Sequence, residues 1–192
     1  MTITIETGDI TKAATDAIVN AANSGLQRGG GVCGAIFNAV QAAGGRVAYD
    51  QLTAACNAIG HCSAGDAVIT PSFGLPSQFI IHAVGPIWSG RSHPFDRLDG
   101  GQSTHVEELA SAYRAILRVC RENKLTSVTI PAISTGIYGF PPDLAAAIAV
   151  KVCTEEAGDI AVTLVGYNTD TTNTLRDAPT AQASALLSGL TF

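Results

Sequence analysis

Short apolar runs closed by turn residues alternate along this chain with longer stretches of helical period. Thr2 to Glu6 alternates polar and β-branched residues and stops at Gly8, the pattern of a strand, while Thr15 to Ala22 (TDAIVNAA) has the apolar centre of a buried one. Val32, Ile36, Ala39 and Val40, followed by Val47, Leu52, Ala55 and Ile59, predict two helices between Val32 and about Ile59, broken near Gly44 and Gly45. Asp66 to Thr70 and Gln78 to Val84 are predicted strands, parted by the turn residues of PSFGLPS. Thr104 to Asn123 places Val106, Leu109, Ala110, Tyr113, Ile116, Leu117 and Cys120 on one helical stripe, with Glu107 and Glu108 near its start, where the dipole favours acids. Ser127 to Ile130 and Ile160 to Val165 are further strands, and Asp143 to Glu156 a further helix. The tail is expected to pass through a Thr-rich linker into an Ala/Leu helix over Ala181 to Leu187.

Strands and helices in alternation predict an α/β fold, a three-layer α/β/α sandwich around a mixed, largely parallel sheet. At 192 residues and 46% hydrophobic composition, one domain over 1–192 is expected. Ligands of such sheets bind beyond the carboxyl ends of the strands. Between Gly85 and Ser103 lies a long stretch rich in Gly, Pro and charge, in which Trp88 to Gln102 is a candidate lid.

Two strand-to-helix connections carry the candidate chemistry. The first, Asn20 to Asn38 (NAANSGLQRGGGVCGAIFN), sets Gly29, Gly30 and Gly31 ahead of a helix. Without side chains, their N–H groups can approach a ligand closely, and a helix N-terminus favours an anion such as phosphate. The second, ISTGIYGFP, follows the strand at Ser127 to Ile130, so both loops reach the same end of the sheet.

Charge narrows the function. A net charge of −5 and a pI near 5.2, with no basic stripe, argue against a nucleic-acid surface. No apolar run is long enough to span a bilayer and the N-terminus lacks signal-peptide features, so a cytoplasmic protein with no membrane partner is expected, working as a monomer. Five cysteines without a CxxC pair read as reduced thiols. Gly29, Gly31 and Gly34 with Asp50 satisfy a dinucleotide-binding fingerprint literally, but SGLQR separates them from the strand. Cys33, Cys56, His61 and Cys62 fit no common zinc spacing, so no metal and no cofactor is expected. His82, inside an apolar strand, reads as a core histidine, and His93 and His105 as solvated.

GDIT at 8–11, DAIVNAAN at 16–23, GGGVCGAIF at 29–37, IIHAVGP at 80–86 and PAISTGIYGFP at 131–141 together resemble the macrodomain family, within it the MacroD-type branch. The resemblance implies a pocket for ADP-ribose or ADP-ribosylated protein. In it Asp9 would accept from the adenine amino group beside the Ile10 N–H, and Asn23 would meet the terminal ribose. Asn20 would brace the loop. Gly30, Gly31 and Val32 would face one side of the diphosphate, and Ser134, Thr135, Gly136, Ile137 and Tyr138 the other. Tyr138 and Phe140 could wall the terminal ribose, and Tyr167 and Asn168 would close over the adenosine. Competing roles are a turn cap for Asp9, a plain turn for the glycines and core packing for the aromatic residues.

One departure bears on mechanism. Where MacroD-type hydrolases carry an aspartate after GGGV this chain has Cys33, and Phe37 stands where a histidine is common. The reacting end is then left to Asn23, Gly31, Cys33 and Tyr138. Cys33 is read as a small neutral filler, with a reactive or redox-sensing thiol as the alternatives that a helix N-terminus suggests. The resemblance implies a mono-ADP-ribosyl hydrolase acting on ADP-ribose esterified to Glu or Asp, and on O-acetyl-ADP-ribose. The alternatives are a non-catalytic reader of ADP-ribose and a sensor of a free nucleotide metabolite.

Overall fold

The computed structural model describes residues 3–88 and 105–178. Within them the strands are β1 (Ile3–Thr7), β2 (Ala17–Ala21), β3 (Ala67–Pro71), β4 (Phe79–Ala83), β5 (Ser127–Pro131) and β6 (Ala161–Gly166). The helices are α1 (Gly31–Ile59), α2 (His105–Glu122), α3 (Pro142–Glu156) and α4 (Thr169–Arg176). The strands form one sheet in the order β1-β6-β5-β2-β4-β3, parallel throughout except for β3, which runs antiparallel to β4 at one edge.

Residue alternation splits the core into two layers. Ala17 and Val19 of β2 join Leu109, Tyr113 and Ile116 of α2 and Ile148 and Val152 of α3, whereas Ile18 joins Ile36, Phe37, Val40 and Leu52 of α1. The predicted mixed α/β sandwich is therefore the fold observed. No helix among the described residues is long and apolar enough to cross a membrane.

The break foreseen at the glycine pair is present: Gly45 has φ 69° and ψ −163° inside the span of α1. In a straight helix Phe37 and Tyr49 would stand about 18 Å apart along the axis. Here their rings meet edge-on at 5.8 Å, so the second half of α1 folds back over the first.

At the opposite end of the sheet from the glycine loops, Asp16 clasps β2 to β5. Its Oδ2 accepts from Thr126 N at 2.7 Å, Thr126 Oγ1 at 2.8 Å and Ser127 N at 3.1 Å. Led by the Thr126 backbone bond, these donors hold the carboxyl below its ordinary range. The clasp fixes the register in which β2 and β5 deliver their loops.

The Thr-rich linker is a correction, because it is α4. Asn168 caps the helix by accepting from Thr171 N at 2.9 Å, and Thr172 and Leu175 are buried against the sheet. Four threonines have low helix propensity, and packing overrode it. The lid segment beyond Trp88 and the helix expected at 181–187 lie outside the described residues.

Candidate functional site

The crevice begins where β2 ends. Ala22 N–H donates to Ala83 O at 2.9 Å, holding the chain to β4, and the next residues wind around Asn23. Asn23 Nδ2 donates to Gln27 O at 2.7 Å, and Asn23 Oδ1 accepts from Gln27 N at 3.1 Å. Asn23 thus braces the loop from within. Asn20, expected to brace the loop and to line the ligand, meets the loop from the core: it is 1% exposed, which takes it away from a ligand, and its amide nitrogen lies 3.1 Å from His82 Nδ1 and 3.6 Å from Cys33 Sγ.

Gly30 caps α1 in an extended conformation, and Gly31 opens the helix with φ 57°. The first amides of α1, including Val32 and Cys33, are those a helix leaves without intrahelical partners. Cys33 is 4% exposed and its Sγ takes the Gly29 N–H at 3.3 Å. Gly34 is fixed by contact rather than by any fingerprint: a Cβ there would lie 2.8 Å from Gly29 O. Gly34→Ala is therefore expected to lower stability by about 1–2 kcal/mol and to displace Gly29. Thermal denaturation checks this, and an unchanged Tm would sink it.

The second loop meets the first from β5. Gly139 N–H donates to Gly136 O and Phe140 N–H to Ser134 O, both at 2.9 Å, and Thr135 Oγ1 donates to Ala132 O at 3.1 Å. Ile137 is 82% exposed and arches over the glycine loop, where a Cβ on Gly30 would stand 3.1 Å from its Cδ1. Tyr138 is half-buried, and burial first, then the Cys33 thiol, push its phenol up. Phe140 takes the core role weighed for it: it is buried and stacks edge-on with Trp88 at 4.8 Å, so it walls no crevice.

The far end is built by β1 and β6, joined where Gly8 N–H donates to Gly166 O at 2.9 Å. The cap role weighed for Asp9 is realised. Its Oδ1 accepts from Thr11 N at 3.0 Å and Thr11 Oγ1 at 2.7 Å, and Lys12 Nζ is 3.7 Å from Oδ2. The Thr11 hydroxyl leads in holding this carboxyl low. Ile10 is buried behind it, Tyr167 is 82% exposed, and Asn168 spends its side-chain oxygen on the cap of α4.

Two glycine-containing loops from neighbouring strands thus meet at Gly30 and Ile137. The sequence model of the Macro domain family matches residues 19–149. This chain belongs to the macrodomain family. A macro domain-containing protein of Ralstonia nicotianae is 45% identical over 152 residues, covering 79% of this chain and 78% of that one. One of Methanosarcina mazei is 42% identical over 180 residues, 92% and 87% of the two chains. Among solved structures, an Oceanobacillus iheyensis macrodomain variant with ADPR superposes with a TM-score of 0.75 at 34% identity, covering 94% of this chain and 91% of that one. A Trypanosoma brucei macrodomain in complex with ADP-ribose gives 0.70 at 30% identity, covering 91% and 68%.

In this macrodomain the sequence located both loops but missed two supports. Gly85 lies so close under the second loop that a Cβ would come within 2.1 Å of Ser134 Oγ and 2.7 Å of Ile133 Cγ2. His82 is a core histidine as read, yet it touches the site through Asn20. A glycine at a strand end was the only visible signal for the first, and nothing linear marks the second. Cys56 lies 3.9 Å from the same imidazole, and all five thiols are free and buried.

Proposed function

We propose that this macrodomain binds ADP-ribose with the diphosphate between the two loops, and that it is a MacroD-type mono-ADP-ribosyl hydrolase for ester-linked Glu and Asp. The observation that carries the binding is the meeting of Gly30, at the N-terminus of α1, with Ile137 of the second loop. Amides there suit a diphosphate. Asp9, Ile10, Tyr167 and Asn168 then fall at the adenosine end, and Asn23, Gly31, Cys33 and Tyr138 at the terminal ribose.

Cys33 in place of an aspartate gains support from the O. iheyensis macrodomain. Its solved variants change an asparagine, a glycine and an aspartate at the same intervals as Asn23, Gly30 and Cys33 here. Without that carboxylate, the bond cleaved must need little help. Water attacks C1″, the C1″–O bond breaks, and its electron pair leaves on a protein carboxylate whose conjugate acid has a pKa of about 4, so no general acid is required. The water proton passes to solvent, and the substrate's own diphosphate holds the water in place. O-acetyl-ADP-ribose presents a similar leaving group. A reader that binds without turnover is the second reading, favoured by the thiol at position 33, which bonds to Gly29 N–H and Asn20 rather than facing a base.

A time course of ADP-ribose released from protein modified on Glu or Asp decides between them. Release above background, lost in Asn23→Ala, is expected; no release alongside confirmed ADP-ribose binding would make the protein a reader. Cys33→Asp is expected to raise turnover about tenfold, since Gly29 N–H and Asn20 Nδ2 already point at that position and would orient a carboxylate. Unchanged turnover at wild-type affinity would show that the missing carboxylate does not limit the rate.

A further inference from the structure

Behind the glycine loop a line of buried polar side chains crosses three adjacent strands. Thr70 of β3 (3% exposed), His82 of β4 (0%) and Asn20 of β2 (1%) are bonded in sequence, with Thr70 Oγ1 2.9 Å from His82 Nε2 and His82 Nδ1 3.1 Å from Asn20 Nδ2. The register of the sheet sets Asn20 directly beside His82. The line ends at Cys33 Sγ, 3.6 Å from Asn20 Nδ2, and this sulfur also takes the Gly29 N–H.

We propose that His82 is a positioning residue for the crevice: as the neutral imidazole protonated on Nε2, it holds the Asn20 amide so that one N–H meets Cys33 Sγ, and thereby seats the glycine loop on the sheet. The donors and acceptors fix this state. Asn20 Nδ2 carries two hydrogens and has two partners, His82 Nδ1 and Cys33 Sγ. Its Oδ1 is buried without a partner. Turning the amide over would bury two unpaired donors in place of one unpaired acceptor, the costlier arrangement. His82 Nδ1 is therefore the acceptor, and Nε2–H donates to Thr70 Oγ1.

The groups that face the ring are Asn20 from β2, Thr70 from β3 and Cys56 from α1. None carries a charge at neutral pH: burial, then Cys33, pushes the Cys56 thiol up to about 11, and burial lowers the imidazole to about 4. The bonds thus keep their donor and acceptor roles across physiological pH. Without an acceptor at Nδ1, nothing orients Asn20, and the contact that holds Cys33 and Gly29 loosens.

The test compares wild type with His82→Asn, whose Oδ1 keeps an acceptor near the Nδ1 position, and with His82→Leu, which has none. Imidazole nitrogen spectra of the wild type should show the Nε2–H tautomer. Amide shifts of 29–33 should move in the leucine variant and stay in the asparagine variant. Only the calorimetric readout rests on the proposed function: ADP-ribose affinity should fall about tenfold in the leucine variant and little in the asparagine variant. An Nδ1–H tautomer, a loop equally disturbed in both variants, or a folded leucine variant with an undisturbed loop would each overturn the proposal. If the leucine variant does not fold, the tautomer and the asparagine variant still decide it. A wild type that binds no ADP-ribose would sink the functional reading and leave the tautomer and loop shifts to decide this one.

Discussion

Gly85→Ala is expected to destabilise the protein by about 3 kcal/mol or more and to weaken ADP-ribose binding about a hundredfold. The added methyl would lie 2.1 Å from Ser134 Oγ and 2.7 Å from Ile133 Cγ2, far inside contact distance. Ser134 has little room to yield. It is buried and already in the left-handed region at φ 66°, and Phe140 N–H is anchored on its carbonyl at 2.9 Å. The loop from Ala132 to Tyr138 must therefore move as a unit, and a shift of about 1 Å is enough to spoil a cradle made of directed amides. Thermal denaturation reads the first effect and titration calorimetry the second. Adding Ser134→Gly, which removes the hydroxyl and relieves the backbone, should restore much of both; wild-type affinity in the single variant would show that this contact does not set the loop.

Acid should destabilise the protein through His82. Burial lowers the imidazole from 6.5 to about 4 in the folded state. Between these values the unfolded chain binds a proton that the folded chain refuses, so stability falls as pH drops through that window and is recovered as pH rises. The loss is on the order of 3 kcal/mol between pH 7 and pH 4. Denaturant titrations at pH 7, 5.5 and 4 would show a fall in wild type that is much smaller in His82→Asn. Parallel profiles for the two proteins would mean that another group carries the acid sensitivity.

The elements with a strong period were legible in the chain. The stripe from Val106 to Cys120 is α2, and the break at the glycine pair falls at Gly45. The two loops were legible because glycines between a strand and a helix, three in a row in the first loop and two spaced ones in the second, have few other uses. Less visible was anything decided by partners distant in sequence. Helix α4 hid in a run of threonines because its stability comes from burying Thr172 and Leu175 on the sheet. The different surroundings of Asn20 and Asn23 turn on alternation: residue 20 is still inside β2, where its side chain must face either the core or a neighbour, whereas residue 23 is past the strand end and free to wrap a turn. The burial of Phe140 follows from Trp88, a residue 52 positions away that no local pattern connects to it.

The N-terminus of α1, where Gly30 meets the side chain of Ile137, offers its donors from the main chain. Substitution can crowd such a cradle but cannot delete its donors, since every residue but proline keeps its N–H. Position 33, whose side chain takes the Gly29 N–H, is under no such constraint. If the proposed function holds, a lineage that exchanged an acid for a thiol at position 33 would lose or alter turnover while recognition persists. Hydrolases and silent binders built on this fold would be separated by very few mutational steps, with binding as the common ground between them.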